Sequence, residues 1–269
     1  MRAIILLLTL TVTAAAQSSS SVPQKTTSTA KAPDANLQQA KDIIDKSIKA
    51  LGGQAYLQFK TIKQQGRGFG FDRTGASAGV GTPFTRYYFY PDKERYDFFR
   101  QGDWVIIHDG DKGYETTYHG TRAQEAEEIS DYIRRRQYAL DLVLREWAQD
   151  KRTGFFYEGV TIAETKQVHQ VALMNAKNQG VTLFIDAKTF LPVKKSYTWR
   201  NLEMRETWEE SEMYDGYRLI QGIQTPFILT GTRNGKMIGQ RFYKTVEYNV
   251  TVNPALLVPP PLGPATVKK

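Results

Sequence analysis

The chain has no cysteine, only three histidines and no apolar run long enough to cross a bilayer as a helix. Without a thiol there is no disulfide, no thiolate zinc site and no residue to carry a lipid anchor. His108, His119 and His169 are widely separated and no H-E-x-x-H pattern is present, so no metal site is expected. The G-x-S-x-G nucleophile elbow and the G-x-x-x-x-G-K-S/T phosphate loop are also missing. Asp109, Asp111 and Gly113 lack the third ligand, spaced glycine and terminal Glu of a calcium loop, and read as a solvated hairpin turn. The expectation is a chain with no cofactor and no enzymatic activity.

What is present begins with an export signal. Arg2 precedes an apolar run from Ala3 to Val12, which ends in Ala14-Ala15-Ala16 before Gln17-Ser18-Ser19. That is the layout of a signal peptide over residues 1–16 with an A-x-A cleavage site, and it is too short for the ~20 residues of a span. Residues 17–35 are rich in Ser, Thr, Lys and Pro and read as a flexible linker. Residues 36–262 have the length of one all-β domain, and residues 263–269 are a tail. The net charge is +8, and removal of residues 1–16 leaves +7. Scattered charge on an exported chain argues against nucleic acid as a partner. The expected location is a bacterial periplasm, with no stable membrane span after cleavage.

Leu37, Ala40, Ile43, Ile44, Ile48 and Leu51 recur at helical spacing and stop at Gly52-Gly53. The period then falls to two. Strands are expected at 61–71, 84–90, 94–100 and 104–108, then a helical insert from about residue 123 to 150. More strands follow at 155–162, 167–174, 181–186, 193–200, 205–214, 217–221, 224–232 and 237–248. Asn234-Gly235 supplies both positive-φ positions of a type I′ turn. Short connections make the strands antiparallel, and a sheet this wide must either close into a barrel or curl around its helices to cover its apolar face.

Two charged stretches read as solvated. Glu206, Glu209, Glu210 and Glu212 fit an exposed strand face better than a pair of catalytic carboxylates. Arg134-Arg135-Arg136 fits an exposed part of the helical insert. Asn249-Val250-Thr251 matches the N-x-S/T acceptor, which matters only in a eukaryotic secretory host.

The phrases Ala50-Leu51-Gly52-Gly53, Tyr90-Pro91-Asp92-Lys93-Glu94-Arg95, Leu183-Phe184-Ile185-Asp186 with Leu191-Pro192-Val193, and Gly222-Ile223-Gln224-Thr225-Pro226-Phe227 occur in an order that resembles the outer-membrane lipoprotein-sorting, LolA-like family. The resemblance covers nearly the whole mature chain. It implies a mainly β (α+β) fold, an incomplete antiparallel β-barrel of about eleven strands with helices covering the concave face. It also implies an apolar cavity for lipid or lipoprotein acyl chains, with envelope membrane complexes as further partners. Candidate cavity residues, taken from apolar strand faces, are Tyr88, Phe98, Trp104, Leu183, Tyr197, Trp199, Phe227 and Phe242. The rival reading is an envelope module of the same fold that acts through protein contacts and has a filled cavity.

Overall fold

The computed structural model describes residues 33–72, 75–77, 79–99, 103–202 and 204–264, so the expected signal peptide and most of the expected linker lie outside the described residues. Helices α1 (Pro33–Leu51) and α2 (Gln54–Gln58) lead into β1 (Thr61–Gly70), β2 (Thr82–Phe89), β3 (Lys93–Phe98), β4 (Trp104–Asp109), β5 (Lys112–Thr117) and β6 (Gly120–Ala123). Helices α3 (Ala126–Gln137) and α4 (Leu140–Arg145) and a 3₁₀ turn at Trp147–Gln149 come next. Then follow β7 (Gly154–Ala163), β8 (Lys166–Met174), β9 (Gly180–Asp186), β10 (Pro192–Asn201) and β11 (Glu206–Asp215). The last elements are β12 (Arg218–Ile220), β13 (Ile223–Thr225), β14 (Ile228–Arg233), β15 (Lys236–Tyr248), a second 3₁₀ turn at Pro254–Leu257 and β16 (Gly263–Pro264).

Fourteen strands form one sheet in the order β16-β6-β5-β4-β3-β2-β1-β15-β14-β11-β10-β9-β8-β7, while β12 and β13 pair as a separate ribbon. The two end strands do not pair with each other, so the sheet is an unclosed half-barrel with helices against it. It is wider than the expected eleven strands because β5, β6 and β16 add to one edge; β5 and β6 are short and polar and lack the alternation that marks a strand. The expected tail contributes Gly263 and Pro264 to that edge, paired with Thr121 and Gly120. The helical insert is two helices broken at Tyr138 and Ala139.

The apolar stripe of α1, with Ala40, Ile43, Ile44, Ile48 and Leu51 all buried, packs into one core with Val171, Leu173, Val181, Leu183 and Ile185 from β8 and β9. Each such aliphatic side chain contributes about 1.5–3 kcal/mol by leaving water. Gly52 ends α1 with φ of 130°, and a Cβ there would lie 2.4 Å from the Gly222 carbonyl oxygen, so neither backbone nor space admits another residue. Asn234 and Gly235 have φ of 48° and 76°, the two positive values that the β14–β15 hairpin requires. At the β7 edge, Asn36 Nδ2 donates to the Tyr157 carbonyl at 2.8 Å and the Tyr157 N–H donates to Asn36 Oδ1 at 2.9 Å, so α1 satisfies part of an otherwise open strand. Among the described residues no helix is long and apolar enough to cross a membrane.

Candidate functional site

The α1 side of the sheet is filled, but from β4 across to β10 the concave face is not. There, under α3 and α4, lies a cavity of about 700 Å³. One wall is aromatic. The rings of Tyr96 and Phe98 stack at 5.6 Å, those of Phe98 and Trp104 at 4.3 Å, and Phe84 bridges Tyr96 and Tyr243 at 5.8 and 6.0 Å. Strand register produces this wall, because Phe84 lies opposite Phe98 and Phe98 opposite Trp104 on adjacent strands. The floor is made of missing side chains: Gly68, Gly70, Gly231 and Gly239 all line the cavity.

The remaining lining is ionic, and every carboxylate in it is paired. Arg86 Nε donates to Glu94 at 2.7 Å and its Nη1 donates to Gln64 Oε1 at 2.9 Å, while the other Glu94 oxygen lies 3.1 Å from His108 Nδ1. Arg136 makes two parallel bonds of 2.8 Å to Asp141, which also accepts from the Tyr88 hydroxyl at 2.7 Å. Glu210 accepts from the Tyr197 hydroxyl at 2.7 Å and from Arg233 at 2.8 and 3.0 Å. Arg134 and the Trp199 indole complete its shell at 3.3 Å each. Glu212 accepts from Arg241 at 2.7 Å and from Tyr214 at 2.9 Å, and it lies 3.3 Å from Lys195. Lys195 also donates to the Tyr138 carbonyl at 2.7 Å, tying β10 to the end of α3.

These contacts correct two expectations. Arg134 and Arg136 are not solvated: their side chains are only 12% and 10% exposed, and of the three only Arg135, at the edge of the cavity lining, is half exposed. Glu210 and Glu212 turn inward from a strand expected to be wet, while Glu206 and Glu209 stay exposed. Long side chains on a helix over a sheet can reach carboxylates far away in sequence, which converts an apparent surface run into buried pairs. Asp109 and Lys112 do form a hairpin between β4 and β5.

The paired carboxylates stay ionised. Burial would raise the Glu94 pKa, but the charge of Arg86 and the contact with His108 outweigh it and hold the group at about 2. Glu212 is also held at about 2, since Lys195 and Arg241 outweigh burial there. Burial opposes ionisation of Asp141 as well, and Arg136 and Tyr88 hold it well below the usual carboxylate range. Burial and the Asp141 charge push the Tyr88 hydroxyl up, so it remains a donor. A carboxyl whose folded pKa is depressed stabilises the fold above its unfolded pKa and loses that contribution as pH falls through the folded one. Stability should therefore drop between about pH 4.5 and pH 2, by an amount on the order of 3 kcal/mol for each of the two glutamates. Urea midpoints measured across that range check this, and a flat profile between about pH 5 and pH 2.5 would remove the assignment of buried ionised pairs.

The eight candidate residues fall into three groups. Tyr88, Phe98, Trp104 and Tyr197 line the cavity. Leu183 and Phe227 are buried in the adjoining core, and Trp199 packs against that core with Arg134 over its ring at 3.6 Å. Phe242 is 38% exposed and lies in a second groove with Arg67, Phe99 and Lys244. A bulge sets its direction: Gln65 pairs with Thr245 and Gly66 with Tyr243, which leaves Lys244 as an extra residue in β15. Tyr248 and Val246 face the core, and beyond the bulge Tyr243 and Arg241 do, so the parity that would turn Phe242 inward is reversed. Arg86, Glu94, Lys195 and Arg241 line the cavity without having been candidates. Arg86 between Phe84 and Tyr88, and Lys195 between Val193 and Tyr197, carry the available signal: a charge at an inward position of an apolar alternation.

Among the described residues no group of three or more His, Cys, Asp or Glu is placed to hold a metal ion. No family model matches the sequence, and no curated protein matches it. Solved structures do match. One is a DUF1329 family protein from Desulfovibrio piger, with a TM-score of 0.57 at 11% identity over 82% of this chain and 97% of that one. Another is a putative outer membrane lipoprotein-sorting protein domain from Vibrio parahaemolyticus, with a TM-score of 0.54 at 8% identity over 83% and 97%. The fold is common to all three. At such identities the likeness concerns the path of the backbone, and the side chains of the cavity belong to this chain.

Proposed function

We propose that this chain is an exported binding protein that takes up lipid, or the acyl chains of lipoproteins, in the cavity under α3 and α4, and acts in the periplasm without catalysis. The observation that carries the reading is the unfilled space of about 700 Å³ with an aromatic wall. That volume lies within the range of small-molecule sites, and apolar walls with a few fixed polar groups are their usual lining. Each methylene moved from water into such a wall contributes about 0.8 kcal/mol, so a long acyl chain has a large drive to enter. The fold shared with the lipoprotein-sorting domain supports the same reading. A contact module with a filled cavity is the less supported alternative, because a space of about 700 Å³ is left open where Gly68, Gly70, Gly231 and Gly239 join the lining.

Native mass spectrometry with lipid extraction, on protein purified from the envelope of its own host, tests this. The expected result is a co-purifying acyl lipid or lipoprotein in near-equal molar amount. Protein that is reproducibly empty and also fails to take up a fluorescent fatty acid would rule the carrier reading out.

A further inference from the structure

The ionic half of the cavity is not balanced. Arg86 is matched by Glu94 and Arg136 by Asp141, one cation to one carboxylate. On the opposite wall basic side chains outnumber carboxylates. Glu210 is held by both Arg134 and Arg233, and Glu212 by both Lys195 and Arg241. Asp131 also answers Arg134 at 2.7 Å and lies 3.6 Å from Arg135, so Arg134, Arg135, Arg233, Lys195 and Arg241 stand against Asp131, Glu210 and Glu212, five basic side chains to three carboxylates, and of the five Arg135, Lys195 and Arg241 line the cavity. The two glutamates are also saturated as acceptors, since Tyr197, Trp199 and Tyr214 donate to them as well. Donors are left over: Arg134 Nε is buried without a hydrogen-bond partner. Surplus buried positive charge is costly unless something anionic answers it.

The surplus also borders the apolar wall. Arg241 Nη1 lies 3.3 Å from the hydroxyl of Tyr96, whose ring stacks on Phe98. Leu229, opposite Arg241 on β14, lines the same cavity. A ligand with its charge beside Arg241 and Lys195 would therefore lay its chain along Tyr96, Phe98 and Trp104.

From this juxtaposition we infer that the cavity selects an anionic amphiphile, an acyl chain carrying a phosphate or carboxylate that sits beside Arg241 and Lys195. This rests on the carrier reading and narrows it from any acyl lipid to one with a negative head. Guanidinium groups suit the role, because their fixed forks match an oxyanion at two points.

The test titrates the full chain with 1-oleoyl lysophosphatidate, with monoolein and with inorganic phosphate. The two lipids share the oleoyl chain and glycerol and differ in the phosphate. Lysophosphatidate should bind at least about tenfold tighter than monoolein, as a charge-assisted contact implies. In Arg241→Gln that preference should shrink to about threefold or less, through loss of lysophosphatidate affinity. Lys195→Gln serves as a second variant with the same expectation, and circular dichroism checks that each is folded. Equal binding of the two lipids would overturn the inference while leaving the carrier reading intact. Binding of neither lipid by folded protein would overturn both. Displacement of lysophosphatidate by phosphate at equal concentration would assign the cations to a free anion and overturn the amphiphile.

Discussion

Gly68→Phe and Gly231→Phe should each leave the protein folded and nearly abolish acyl-chain binding. Both glycines are in strands, at ordinary φ, on the cavity floor. A Cβ at Gly68 would come no nearer than 3.9 Å to any atom, with the Phe84 ring closest, and one at Gly231 would lie 3.6 Å from Ile238. Neither backbone nor neighbour demands glycine, so a larger residue is tolerated and even favoured in a strand. Gly66 is the contrast, since a Cβ there would sit 2.3 Å from the Phe242 carbonyl oxygen at the bulge. A phenyl ring that displaces about four methylenes of a bound chain forfeits ~3 kcal/mol, roughly a hundredfold in affinity. Fluorescent fatty acid titration beside thermal melting measures both quantities. Unchanged uptake by two folded variants would show that the ligand, if any, binds elsewhere.

Asp141→Ala should be the most destabilising single change in the cavity wall. Among the described residues Asp141 is the only carboxylate paired with Arg136, whose side chain is 10% exposed and whose Nε also donates to the Pro91 carbonyl at 2.6 Å. Removing the carboxylate leaves a buried guanidinium without its counter-charge, while the Tyr88 hydroxyl keeps the Pro91 carbonyl as an acceptor at 3.0 Å. Breaking one side of a buried pair costs about 3–5 kcal/mol, which in a domain of this size lowers Tm by roughly 10 °C. The double change Arg136→Met with Asp141→Leu should recover a large part of the loss, because apolar replacement of both partners removes the desolvated charge. Denaturant unfolding of both variants and the parent measures this cycle. A loss below about 1 kcal/mol for Asp141→Ala would mean that water reaches the pair and screens it.

How much of this was legible in the chain depends on how local the signal is. The stripe of α1, its end at Gly52-Gly53 and the Asn234-Gly235 hairpin were readable, because a helix face and a turn are set by residues within a few positions of each other. Four of the eight candidate residues line the cavity for the same reason: Tyr88, Phe98, Trp104 and Tyr197 stand on strands whose alternation is regular through the site. Phe242 followed the same rule and lies in the outer groove, because the extra residue Lys244 in β15 shifts the phase. A bulge is defined by the partner strand, and β1 is some 180 residues away from β15 in the chain.

The charges show the division most clearly. The sequence by itself determined the types of most elements, their antiparallel order and the presence of export-like and linker-like composition at the start. Only the tertiary structure decided that Arg134 meets Glu210, that Lys195 and Arg241 share Glu212, and that glycines of β1, β14 and β15 come together as an open floor. An isolated charge or glycine has no periodic neighbour to reveal which way it faces. A charge can be buried only where a distant partner offsets its desolvation, and a cavity exists only where several strands leave the same space unfilled.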